Sequence, residues 1–192
     1  QFLIDLNSRT YLILFLFFTP LIAFNQVNST YTLKILGVVQ DGGLPHLGSD
    51  RICCEDFEQN RYVTSIMLIN NETNESYLFD ASPDINKQLN FMGKGIKKNL
   101  KGIFLTHAHI GHYTGLMYFG REALNSKLMK VYAMPRMKKF LEQNGPWSQL
   151  VSLENISITE LNNKSNIVID SNVTVQPIEV PHRAEFSETV GY

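Results

Sequence analysis

The chain has 192 residues, 44% of them hydrophobic, and a formal net charge of −1. That length accommodates one domain with a real core, and the apolar fraction excludes a disordered or low-complexity polymer. The balanced charge leaves no electrostatic footprint for nucleic acid, which argues against such a partner.

In chain order, the first feature reads as an address. Arg9 precedes an apolar run over residues 11–24, broken only by Pro20, and the chain then turns polar over 25–30. The run is shorter than the roughly 20 residues a spanning helix needs. A basic flank before a short apolar core is the layout of a secretory signal. Residues 1–26 are therefore expected to be a signal peptide or, in the alternative, an uncleaved membrane anchor. Export to the periplasm or beyond follows, with membrane contact through this segment alone.

Residues 31–192 read as one α/β unit. A strand over 32–39 ends in the turn Gln40-Asp41-Gly42-Gly43, and strands over 62–69 and 76–80 meet through an Asn-rich turn as a hairpin. Ser82 suits a helix N-cap with Pro83 at the first helical position and Ile85, Leu89 and Met92 on one face. After a strand over 101–106, a helix is expected from His112 to about Leu124. Another is expected over 135–143, with Met137, Phe140 and Leu141 inward and Gly145 as its stop. Strands over 156–161, 167–170 and 173–180 complete the pattern.

Several local features carry less. Lys94, Lys97, Lys98 and Lys101 form a basic run without interleaved aromatics, which reads as a solvated loop or helix end. Two adjacent cysteines, Cys53 and Cys54, make no disulfide framework. With His46 they could form a small structural metal site, or they are packed or free thiols, and both readings stay open. Asn-x-Ser/Thr triplets at Asn28, Asn71, Asn74, Asn155, Asn163 and Asn172 matter only in a host that glycosylates.

The informative run is Thr106-His107-Ala108-His109-Ile110-Gly111-His112, which holds three of the five histidines directly after a strand. In an extended segment His107 and His109 project to the same side. Gly111 lets the chain turn and bring His112 round from the other. Imidazole is a common ligand for Zn and Fe, so the cluster reads as a metal site.

With Thr114-Gly115-Leu116 behind it, this run resembles the His-x-His-x-Asp-His signature of the metallo-β-lactamase superfamily. Residues 77–82 resemble that superfamily's earlier strand ending in Asp. Residues 175–182 with 190–192 resemble the later strand that supplies a third ligand. Within the superfamily, residues 36–46, Cys53, Cys54, 61–66 and 80–85 resemble the coenzyme PQQ synthesis protein B group and its exported relatives. The resemblance implies an αββα sandwich with one or two metals at the sheet edge. It places His107, His109 and His182 around the first metal, leaving a position for water, and His112 beside a second. Asp80 is expected to accept the other ring N–H of a ligand imidazole, or else to cap the turn that follows it.

Three departures qualify what the resemblance implies. Gly111 stands where the signature has Asp, so one metal is expected, with a second weak unless another residue takes over. Ser49 stands where relatives tend to have a further Cys, and the bridging Asp and final His would lie beyond Tyr192, as in an N-terminal part of the fold. The function implied is a metal-dependent hydrolase, with zinc as the expected cofactor and iron as the alternative. Activated water would attack carbon or phosphorus of a small-molecule substrate. A PQQ synthesis protein B-like enzyme and a non-catalytic metal-binding member of the fold are the alternatives.

Overall fold

The computed structural model describes residues 29–52 and 61–192. The expected leader and the Cys53–Cys54 pair lie outside the described residues, and the proposed His46–Cys53–Cys54 grouping with them. Among the described residues no helix is long and apolar enough to cross a membrane.

The centre is a six-stranded sheet in the order β1 (Tyr31–Gly37), β2 (Ser65–Asn70), β3 (Ser76–Phe79), β4 (Leu100–Phe104), β5 (Met129–Ala133), β6 (Ile156–Glu160). The first three strands are antiparallel, and β3 to β6 run parallel. Parallel strands are covered on both faces, and the residue alternation here shows it. Leu78, Ile103 and Val131 face one core with the helices, whereas Phe104, Tyr132 and Val175 belong to a second core on the opposite face. That second face is covered by two short hairpins, β7 (Ile167–Val168) with β8 (Thr174–Val175), and β9 (Ile178–Glu179) with β10 (Val190–Gly191).

The helical face carries α1 (Ile85–Gln88), α2 (Ile96–Asn99), α3 (Ile110–Tyr113), α4 (Pro135–Gln143) and α5 (Trp147–Ser152). Ile85 and Leu89 are buried and Met92 packs against the same core, so the stripe expected for this segment is the inner face. Ser82 accepts the Asp84 backbone N–H at 3.1 Å, but the helix begins at Ile85 with Asp84 in the N-cap position, so Ser82 and Pro83 stand in the turn before it and not as cap and first helical residue. Met137 and Leu141 of α4 are buried, with Phe140 partly so.

Several further details differ from the sequence reading. The segment after His112 is not one helix to Leu124: α3 is a single turn, followed by a 3-10 helix over Thr114–Phe119 and then turns. Gly115 presses its backbone so closely on residues 81 and 82 that an added Cβ would sit 2.1 Å from the Ser82 carbonyl oxygen, and this contact sets the path of the chain. The strand Met129–Ala133 and the helix Trp147–Ser152 were not expected; both are short, and tertiary burial of Val131 and Leu150 makes them regular. The expected strand over 173–180 is two, parted around Pro177, which has no N–H to extend a ladder. Asn155 is buried, its amide donating to the Ser126 carbonyl at 3.0 Å, so its triplet is closed to glycan in the folded chain.

Candidate metal centre

The parallel neighbours β3 and β4 end side by side, so Asp80 and the 105–112 segment emerge together at the carboxyl edge of the sheet. Open α/β sheets place ligands at that edge. Asp80 leaves its strand at φ 67°, a left-handed conformation that Asp tolerates better than most residues. The turn directs its buried carboxylate at the histidine segment. Its Oδ1 accepts the Thr106 backbone N–H at 2.8 Å, and its Oδ2 accepts the Thr106 hydroxyl at 2.9 Å and His112 Nδ1–H at 2.7 Å. Asp80 therefore holds His112 and Thr106 rather than capping the turn after it.

The three remaining cluster histidines converge. Because the Thr106 hydroxyl proton goes to Asp80, Thr106 Oγ1 accepts from His107 Nδ1 at 2.9 Å, leaving His107 Nε2 bare. His109 Nε2 donates to Glu185 at 3.1 Å, so its Nδ1 is the nitrogen turned toward His107. These two nitrogens face each other across 2.9 Å. Opposed lone pairs at that distance repel unless a proton or a cation lies between them. His182, carried by the chain after β9, closes a third side, with its ring centred 4.9 Å from that of His107. One ligand nitrogen from each of His107, His109 and His182 lies within 4.8 Å of the others.

Burial and charge keep His107 in the form that a metal ligand needs. Burial and the neighbouring His112, His109 and His182 push the His107 imidazole down to about 4, so it is neutral at physiological pH, as a ligand must be. Exposure rises from buried His107 to half-buried His109 to exposed His182. The open side faces a cleft of about 890 Å³ that also takes in Asp41, His46 and Arg183. The segment bearing His182 is fastened to the histidine segment by Ala108 N–H to Ser187 Oγ at 2.8 Å and by Val190 N–H to the Thr106 carbonyl at 3.1 Å. Three converging nitrogens with an open fourth side fit catalytic zinc, and two of the three rings already have their other nitrogen held by protein.

His112 stands apart from the triad but beside it, its ring centred 4.2 Å from that of His107. Its Nε2 lies 3.2 Å from Asp41 Oδ1. Burial pulls this imidazole down, yet the Asp80 hydrogen bond and charge, with Asp41 adding to them, outweigh burial and raise it overall. His46 packs its ring over Gly42 in the same cleft. Sequence reasoning missed Thr106, Glu185, Ser187 and Asp41. Thr106 is the one that adjacency could have marked, since Glu185 meets His109 across 76 positions and no local pattern announces that pairing.

The sequence profile of the Beta-lactamase superfamily domain matches residues 75–192, more than half of the chain. A search among curated proteins finds no match. Among solved structures, a diphosphatase from the PhnP family is similar at a TM-score of 0.63 and 24% identity, covering 84% of this chain and 61% of that one. Zn(2+)-bound PqqB from Methylobacterium extorquens is similar at a TM-score of 0.66 and 18% identity, covering 84% and 57%. The metallo-beta-lactamase fold protein YhfI from Bacillus subtilis is similar at 0.56 and 12%, with the same coverages of 84% and 57%. The chain thus spans less than two thirds of the length of each of these three structures. With the profile match over its sheet edge and histidine segment and this set of structural neighbours, the chain belongs to the beta-lactamase superfamily and has the α/β metallo-β-lactamase fold.

Proposed function

We propose that the protein is a zinc-dependent hydrolase of small molecules, with His107, His109 and His182 holding the ion. The observation that carries this reading is the convergence of His107 Nε2 and His109 Nδ1, 2.9 Å apart, with His182 closing the third side. A cation held there supplies Lewis acidity and makes water nucleophilic near neutral pH. The chain's own residues supply the rest. Thr106 and Glu185 hold the His107 and His109 tautomers, and burial keeps His107 unprotonated. The cleft leaves room for substrate on the exposed His182 side. The kinship with a structure of a diphosphatase and with a Zn(2+)-bound structure supports hydrolysis and zinc respectively.

The test replaces each histidine singly by Ala in the intact protein and measures bound metal by elemental analysis. Each replacement is expected to remove most of the first-site metal, because a three-ligand site cannot spare one and keep its geometry. Unchanged metal in His182→Ala would refute the ligand set. Turnover of generic ester, lactam, thioester and phosphodiester substrates by the zinc-loaded protein is expected for at least one class. Tight metal binding with no turnover would favour a non-catalytic role.

A further inference from the structure

We infer that Asp41 supplies, from a different segment of the chain, the carboxylate that residue 111 lacks, and that with His112 it holds a second divalent cation beside the three-histidine centre. This rests on the metal reading of that centre and extends it to residues the histidine run does not contain.

The space argument comes first. A Cβ built on Gly111 would lie 2.7 Å from Asp41 Oδ1 and 2.8 Å from Asp41 Cα, so the loop bearing Asp41 fills the room that a side chain at 111 would take. Gly111 is absent from the residues with positive φ, so no left-handed backbone demands glycine there. Close approach by Asp41 does. The turn that presents Asp41 is fixed by Gly43 N–H to the Gln40 carbonyl at 2.9 Å, with Gly43 at φ 76°, where glycine is the residue that fits without strain.

The donor argument follows the logic of the first site. Asp80 takes the Nδ1–H of His112 at 2.7 Å, which turns Nε2, on the other side of the ring, toward Asp41. That nitrogen lies 3.2 Å from Asp41 Oδ1, a separation that a shared proton bridges in the metal-free protein and that a divalent cation would bridge in its place. Two donors each about 2.1 Å from a tetrahedral cation are themselves about 3.4 Å apart, close to the separation seen. Asp80 and Asp41 bring two negative charges to one imidazole, a balance that suits a divalent ion. With the His107 and His112 rings centred 4.2 Å apart, the second cation would adjoin the first. A Gly111→Asp substitution, which the signature alone would suggest as a way to strengthen this site, instead drives a side chain into Asp41.

The experiment loads the intact protein with Zn2+ or Co2+, dialyses it, and counts cations per chain by elemental analysis, with Co2+ titration followed by visible absorption. The native protein is expected to retain two cations and Asp41→Asn one. Co2+ affinity at the lost site should fall by more than about 100-fold, the upper end for loss of a mere supporting partner. Asn keeps the shape and can still accept a hydrogen bond, so this change removes the charge without emptying the loop. Gly111→Ala, which must displace Asp41, is expected to lose the same cation while its unfolding midpoint reports that the fold survives. Two cations in Asp41→Asn, or one in the native protein, would overturn the assignment of Asp41 and leave the three-histidine reading intact. A native protein that binds none would overturn both.

Discussion

At the scale of single residues, Thr106 is the hinge of the candidate site. One hydroxyl donates to Asp80 at 2.9 Å and accepts from His107 at 2.9 Å, so it links the carboxylate that holds His112 to the imidazole that faces His109. Its backbone N–H reaches the same carboxylate, which pins the side chain from both ends. Thr106→Val keeps the shape and removes the hydroxyl. It is expected to lower first-site Zn2+ affinity by about 10- to 100-fold, the usual effect of losing a partner that orients a ligand imidazole. Competition with a chromophoric chelator measures this. Thr106→Ser, which retains the hydroxyl, should bind nearly as the native protein does, and equal losses in both variants would assign Thr106 to packing alone.

Among elements, the contact that sets the site is between the α3 segment and the end of β3. The Ala81 N–H donates to the His112 carbonyl at 2.9 Å and the Gly115 N–H donates back to the Ala81 carbonyl at 2.9 Å, so the two backbones are clamped together. That clamp carries Asp80 to His112. It requires a bare Cα at 115, because a methyl group would fall 2.1 Å from the Ser82 carbonyl oxygen and 2.8 Å from that of Ala81. Gly115→Ala is expected to destabilise the fold by on the order of 1–3 kcal/mol, the range for overpacking against backbone that cannot give way freely. Urea unfolding of the metal-free protein reads this directly. Stability equal to that of the native chain would show that the two segments can separate without cost.

For the whole molecule, both faces of the sheet must be covered, and the second face depends on a chain of aromatic rings. Phe104 stacks on Tyr132 with centroids 4.3 Å apart and on Phe79 at 5.2 Å, and Tyr192 meets it edge-on at 5.4 Å. Tyr192 also donates its hydroxyl to the Leu105 carbonyl at 2.7 Å, fastening residues next to β10 over the strand that leads into the histidines. Core stability and site geometry thus share β4. Phe104→Ala is expected to cost about 3–5 kcal/mol, seen as a lower midpoint of thermal or denaturant unfolding. A loss well under 1 kcal/mol would mean that the second face contributes little to the fold.

Local chemistry that repeats at short range was legible in the sequence. The spacing of His107, His109 and His112 after an apolar strand marked a candidate metal site, because imidazoles two and five positions apart share a loop and need no knowledge of the rest of the chain. Apolar periodicity marked the inner faces of the segments at 82–92 and 135–143 for the same reason. Tertiary structure alone decided the partners: Asp41 at His112, Glu185 at His109, and the approach of Asp41 that explains a bare Gly111. Each joins segments distant in the chain: the turn after β1, held at residues 38 and 39 beside residues 62 and 63, carries Asp41 to His112, and the return of the 182–192 segment across the end of β4 carries Glu185 to His109. Sequence pattern records the period of one element; the distance between two elements is set by how they pack, and no single run of residues contains it.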